Sequence, residues 1–208
     1  ALEGTSLFDL LGTPEVEAAA RRTGESLRAL HRVVPPPAPR HDVEDEIGVL
    51  RRWLERLDAF GVSPESPFHA LARQVQPALG GERGPRVLLH RDFYDKQVLI
   101  ARSGRVGLLD FDTLAVGEAA LDVANALVHF ELRALQGRCT PQAARRAADA
   151  LLEGYQPSPT VRRRLPGYAA AARLRLACVY AFRPGPLSDA LLEAAWREIA
   201  PRPARHLV

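Results

Sequence analysis

Acidic side chains follow directly on two short apolar runs. Arg86-Val87-Leu88-Leu89 leads into His90-Arg91-Asp92-Phe93-Tyr94-Asp95-Lys96-Gln97, and Val106-Gly107-Leu108-Leu109 leads into Asp110-Phe111-Asp112. Loops at strand ends are where a rigid scaffold best positions reactive groups. Two carboxylates at one mouth suit a division of labour in which one takes a proton from a hydroxyl and the other holds a divalent cation. Each acid also has a plain structural use: Asp92 as a turn cap, Asp110 as a helix N-cap, Asp95 as a solvated loop carboxylate. Asp95 is assigned to the loop surface, whereas Asp92 and Asp110 are taken together as a site.

The elements that must position these acids are helical on both sides. Thr13-Pro14-Glu15 has the makings of a helix start, with a hydroxyl N-cap, proline in the first turn and an acid after it. The helix presents Val16, Ala19, Ala20, Thr23, Leu27 and Leu30 on one face. It ends before the proline run at 35–39, which is expected to be extended. Ile47, Leu50, Leu54 and Leu57 mark a second helix from about Asp42, and a third is expected from Pro67 to Leu79, stopped by Gly80-Gly81. Gln97-Val98-Leu99-Ile100 and Val106–Leu109 form a hairpin across the turn Ser103-Gly104-Arg105. Helices are then expected over 119–135, 141–155, 160–182 and 187–199, with Pro166-Gly167 marking a candidate break. The fold class is α+β and mostly helical, with the reactive loops on a small β insertion.

Composition narrows the functional classes. The 208 residues are 47% hydrophobic and 25% charged, enough for one domain with a sizeable core and no reason for wholesale disorder. The formal net charge is +3 and the pI about 9.2, yet Lys96 is the only lysine, so the basic character is arginine. Those arginines are dispersed apart from Arg162-Arg163-Arg164 and lack interleaved aromatics, which argues for solvated helix faces and against nucleic-acid binding. Cys139 and Cys178 have no motif spacing, and Cys178 reads as a buried thiol, in keeping with a reducing cytoplasm. No leader pattern opens the chain and no run of about 18 uncharged apolar residues occurs, so neither secretion nor a membrane partner is indicated.

Four ordered segments resemble the aminoglycoside phosphotransferase and choline kinase family, whose members share the protein-kinase-like fold. His90-Arg91-Asp92-x-x-x-x-Gln97 is similar to the kinase catalytic-loop pattern H-R-D-x-x-x-x-N. Asp110-Phe111-Asp112 resembles that family's metal-binding segment, and Asp110 follows Asp92 by 18 residues, the separation such enzymes bridge with a hairpin. Gly117-Glu118-Ala119-Ala120-Leu121-Asp122-Val123-Ala124 is similar to their G-D-P-A-x-D-L-A segment, and Leu27-Arg28-Ala29-Leu30-His31 to the helix ending in L-H ahead of the catalytic loop. The resemblance covers roughly residues 1–135 by motif and the remainder by helical character.

The resemblance implies ATP and Mg2+ as cofactors and a small-molecule hydroxyl as acceptor. It assigns Asp92 as the base that orients and deprotonates that hydroxyl, and Asp110 as the metal ligand beneath the nucleotide phosphates. Gln97, where the family has asparagine, becomes a further metal and nucleotide ligand, with Asp112 as a second metal contact. His90 and Asp122 become scaffold, His90 orienting the loop and Asp122 bonding its backbone. His31 and His129 read as packing histidines, and Arg91, which replaces the family's usual glycine, as an exposed residue or a partner for Asp112 or an anionic substrate.

The family's N-terminal lobe supplies a glycine-rich turn over the phosphates and a strand lysine. Lys96 lies inside the catalytic loop, and Gly80-Gly81-Glu82-Arg83-Gly84 directly precedes the catalytic strand as a helix stop and turn. The chain opens on Ala1 and holds no methionine. Residues 1–208 are therefore expected to be one C-terminal lobe whose N-terminal ATP-binding lobe is a missing partner, inactive alone. The acceptor is expected among sugars, amino alcohols or other hydroxyl metabolites, since the arginine-rich late helices suit a polycationic antibiotic poorly. A pseudokinase lobe that binds a metabolite or partner is the alternative, favoured by glutamine at position 97; a metal-dependent hydrolase built on His90, Asp92 and Asp110 lacks the further histidines such sites recruit.

Overall fold

Local chemistry places most helix ends where the sequence puts them. A computed structural model describes residues 3–35, 37–183 and 185–199; Ala1, Leu2 and Pro36 of the expected opening loop and proline run lie outside them. The first described elements are β1 (Thr5–Ser6) and α1 (Leu7–Leu10), where a loop and turn are expected from the sequence. The Ser6 hydroxyl accepts from the Asp9 amide and so caps this single turn. Next comes α2 (Val16–Leu30), two residues later than Thr13 suggests, with Glu15 in the N-cap position. Thr13 uses its backbone carbonyl to close a turn with the Val16 amide at 3.4 Å, and its hydroxyl does not cap.

After β2 (Arg40–His41), α3 (Val43–Ala59) begins with a reciprocal capping box between Asp42 and Asp45. Helix α4 (Pro67–Ala78) starts on its proline. Strand β3 (Arg86–Leu89), a 3-10 turn at Asp95–Gln97, β4 (Val98–Ile100) and β5 (Val106–Leu108) follow. A strand absent from the sequence reading, β6 (Ala115–Glu118), precedes α5 (Ala120–Leu135), α6 (Pro141–Tyr155), α7 (Pro159–Ala181) and α8 (Leu187–Ile199). Helix α7 runs unbroken through Pro166 because twelve of its residues are buried among neighbouring helices, and packing overrides the weak propensity of the Pro-Gly step.

The strands form two small sheets instead of one insertion. The antiparallel sheet β1–β4–β5 contains the expected hairpin. In the other, β6 runs antiparallel to β3, pairing Leu89 with Ala115, and parallel to β2, pairing His41 with Gly117. A Cβ at Gly117 would stand 2.3 Å from the His41 carbonyl oxygen and 2.7 Å from Leu89 Cδ1, so only glycine lets these three strands close. β3 and β6 thus fix the entry of one reactive loop and the exit of the other.

Helices α2 and α6 approach closely through Gly24 and Gly154, where added Cβ atoms would meet the Leu151 and Arg21 carbonyl oxygens at 2.1 and 1.9 Å. This contact brings the ends of both helices to the base of the loop after β3. Cys178 lies fully buried on α7, where burial pushes its thiol up to about 12. Among the described residues no helix is long and apolar enough to cross a membrane.

Two arginines correct the picture of solvated helix faces. Arg164, within the triple-arginine run, is buried and grips Glu118 at 2.8 and 3.0 Å while donating to the Leu79 and Gly80 carbonyls beyond the end of α4. Arg133 holds Asp95 in a two-bond clamp at 2.8 and 2.9 Å, with Asp95 1% exposed. Asp95 is therefore not a surface carboxylate but a buried anchor, because α5 passes directly beneath the 3-10 turn. Burial opposes the Arg133 charge, but the Asp95 bonds outweigh it and hold the guanidinium above its ordinary range. Arg133→Met should destabilise the fold by about 3–5 kcal/mol in urea unfolding, and Asp95→Leu added to it should restore most of the loss; a single-variant loss below about 1 kcal/mol would remove the pair as an anchor.

Candidate active site

The loop after β3 is held on both sides of Asp92. Asp122, fully buried in the first turn of α5, accepts from the His90 amide at 2.7 Å and the Arg91 amide at 2.8 Å. The His31 ring, at the end of α2, donates to the same carboxylate at 3.1 Å and in turn accepts from the Tyr155 hydroxyl at 2.9 Å. Burial, with the Asp122 charge behind it, pushes that hydroxyl up to about 12, so it stays a donor. Beyond Asp92, Asn125 donates to the Phe93 carbonyl at 2.9 Å. Arg91 carries a positive φ of 70°, a strained setting for any residue but glycine, which these bonds maintain.

The second loop is tied to the first. His90 is fully buried and donates through Nε2 to the Leu109 carbonyl at 2.7 Å, leaving Nδ1 without a partner among the described residues. Leu109 donates its amide to the Gln97 carbonyl at 2.9 Å, and the Thr113 hydroxyl donates to the His90 carbonyl at 2.8 Å. Asp110 also has a positive φ, 60°. The result turns Asp92 and Asp110 toward one point. The Gln97 amide lies between them, its Nε2 3.5 Å from Asp92 Oδ2 and 3.1 Å from Asp110 Oδ2. Asp92 and Gln97 are half-buried and Asp110 is exposed, so the site opens to solvent on the Asp110 side.

Not every candidate joins this cluster. Asp112 is exposed and makes no hydrogen bond or ion pair among the described residues, so Arg91 does not pair with it. Lys96 points away, its ammonium 4.8 Å from the centre of the Phe8 ring. Among the described residues no three His, Cys, Asp or Glu side chains converge as a metal site. The donors at the site itself are two carboxylates and an amide, hard oxygen ligands that suit magnesium completed by phosphate oxygens rather than zinc.

A cavity of about 190 Å³ opens beside Asp92, walled by Arg91 and by residues the sequence does not single out. His41 of β2 bonds Glu46 of α3 at 2.9 Å, and Arg175 of α7 donates to Asn125 Oδ1 at 2.6 Å. Burial works against the Glu46 charge, but the His41 bond and the nearby Arg175 and Arg91 charges prevail and hold its carboxyl below the usual range. These residues come from four separated elements, so no local spacing signals them; Asn125, one turn after Asp122, is the exception.

The sequence of residues 1–168 matches the family model of the phosphotransferase enzyme family. The chain belongs to that family. Solved structures share its fold. The choline/ethanolamine kinase family protein of Mesorhizobium loti superposes with a TM-score of 0.65 at 17% identity, over 96% of this chain and 66% of that one. The aminoglycoside phosphotransferase of Streptomyces rimosus gives 0.62 at 19%, over 86% and 67%. The macrolide 2'-phosphotransferase of Brachybacterium faecium gives 0.52 at 24%, over 99% and 70%. This phosphotransferase-family chain thus spans about two thirds of the length of the structures it resembles. No curated protein matches the sequence.

Two measurements check how the site is held. Asp122→Asn puts an N–H against backbone N–H groups and should cost about 2–3 kcal/mol in urea unfolding; a loss under 0.5 kcal/mol, on the order of error, would show that the carboxylate is not the clamp. His129 on α5 is buried beside Tyr94, and burial, then the charges of Arg175, Arg133 and Lys96, push its ring well below 6.5. The unfolded chain therefore binds that proton more readily, and stability should fall as pH drops below about 6.5 toward the lower folded value. His129→Gln should flatten the decline in unfolding midpoint from about pH 7 to 5.5, and an equally steep decline in that variant would assign the effect to other groups.

Proposed function

We propose that these 208 residues form the acceptor-binding and catalytic lobe of an ATP-dependent phosphotransferase acting on a small-molecule hydroxyl. The convergence of Asp92 and Asp110 on the single Gln97 amide, with Asp92 also lining a cavity, carries this reading. The acceptor sits in the cavity with its hydroxyl on the Asp92 carboxylate. Asp92 aligns the oxygen lone pair and takes the proton as the bond to the γ-phosphorus forms and the bond from that phosphorus to the leaving oxygen of ADP breaks. Phosphoryl transfer passes through a loose transition state, so alignment and charge neutralisation supply most of the rate. Asp122 and Asn125 serve that alignment by fixing the backbone on either side of Asp92.

Asp110 and the Gln97 side-chain carbonyl are the residues to hold magnesium, which when bound neutralises charge on the nucleotide phosphates. Amide nitrogen and oxygen occupy interchangeable positions, so Gln97 presents its oxygen to a cation from the place where its nitrogen now bridges the two acids. Exposed Asp112 is a second contact for a cation or phosphate entering from the open side. The glycine-rich turn and strand lysine that would cover ATP are not within this sequence, and the lobe alone is expected to bind nucleotide weakly and transfer phosphate hardly at all. Free Cys139 and Cys178 suit a reducing cytoplasm.

In the complete two-lobe protein, ATP turnover over a panel of hydroxyl metabolites should fall about 100- to 10,000-fold in kcat for Asp92→Asn, with little change in nucleotide affinity. Unchanged turnover would remove Asp92 from the base role. Metabolite binding with no turnover in the unaltered protein would instead favour a non-catalytic binding lobe.

A further inference from the structure

Three arginines withdrawn from solvent in this molecule are paired with acids. Arg133 holds Asp95, Arg164 holds Glu118, and Arg173 holds Glu131 and Glu198. Arg28, away from the cavity, donates to the neutral Gln156 side chain, and among the residues lining the cavity Arg91 and Arg175 also lack an acid partner. Both are half-buried and both line the cavity beside Asp92, yet neither forms an ion pair among the described residues. The one side-chain bond of Arg175 goes to a neutral amide, Asn125 Oδ1, and the Arg91 guanidinium makes none among the described residues. The remaining wall carboxylate, Glu46, is bonded by His41 and lies near the Arg175 and Arg91 charges without forming an ion pair with either among the described residues.

The backbone adds an independent point. Arg91 sits at φ 70°, where glycine would be free of strain and an L side chain is strained. The large cationic side chain at this position, one residue before Asp92, lines the cavity and forms no ion pair among the described residues. Guanidinium groups are suited to planar, two-bond contacts with carboxylate or phosphate, and a cationic acceptor entering this space would meet two like charges.

We propose that Arg91 and Arg175 select an acceptor bearing an oxyanion, a carboxylate or a phosphate, within reach of the hydroxyl that faces Asp92. This rests on the assignment of Asp92 as the acceptor-facing base. The two guanidinium groups bind the oxyanion and leave the opposite end of the acceptor at the carboxylate. Asn125 positions Arg175 and, through the Phe93 carbonyl, the loop that carries Asp92, so acceptor grip and base share one side chain.

Titration calorimetry of this chain with glycerate, glycerol 3-phosphate, glycerol and choline tests the proposal. One of the two anions should bind at least about tenfold more tightly than glycerol or choline, and whichever is tighter identifies the carboxylate or the phosphate as the group held. Arg175→Gln and Arg91→Gly should each weaken that binding by about tenfold or more. Arg91→Gly relieves a strained φ, so its melting temperature should hold or rise while its affinity falls, which separates lost recognition from lost folding. Equal or tighter binding of glycerol or choline, or anion binding untouched by both substitutions, would overturn the proposal. The titration needs neither nucleotide nor turnover, so its failure leaves the Asp92 assignment standing, and failure of that assignment would appear only in turnover.

Discussion

A carboxylate with no exposed surface, that of Asp122, dominates the centre of this fold. Burying the Asp122 charge without partners would be prohibitive, and removing any one of its donors would leave charge uncompensated in a low-dielectric interior. Two of its donors are consecutive backbone amides, which can meet one carboxylate only if the chain turns sharply at 90–91. The third is His31, brought from α2 and backed by Tyr155 from the end of α6. The close α2–α6 contact at Gly24 and Gly154 is thus linked through two side chains to the conformation of the loop bearing Asp92. Helix packing between α2 and α6 and backbone strain at Arg91 meet in one group of hydrogen bonds.

The same economy of partners explains why the two reactive loops cannot drift apart. His90, Leu109, Gln97 and Thr113 exchange bonds between the loops, while β3 and β6 fix their outer ends by direct pairing. Asp110 and Arg91 both occupy left-handed backbone, a state sustained because the surrounding bonds over-determine it. Arginine serves two purposes here. Where it meets Asp95 or Glu118 it nails loops and helix ends to the core. Where it lines the cavity, as Arg91 and Arg175 do, it forms no ion pair among the described residues, although the Glu46 and Asp92 carboxylates share that wall.

Much of this was legible along the chain. Helical periodicity located α2, α3 and α4 to within a turn, and the apolar runs at 86–89, 98–100 and 106–108 located three strands. β6 was hidden because Ala115-Val116-Gly117-Glu118 is short and abuts a helix, and β2 because two residues after a proline run carry no pattern. Asp95 was misplaced for a related reason. A loop acid looks solvated until the helix 38 residues later delivers Arg133 beneath it.

Residue type and spacing alone determined the fold class, the family likeness and the pairing of Asp92 with Asp110, since each rests on local patterns of apolar runs, turns and acids. Tertiary structure alone decided which charges are buried, which arginines lack a partner, and that His41, Glu46, Asn125 and Arg175 wall one cavity. The physical reason is range. Periodicity and turn chemistry act over a few residues and are written in order along the chain, whereas desolvation and ion pairing depend on whatever the completed fold places within a few ångströms.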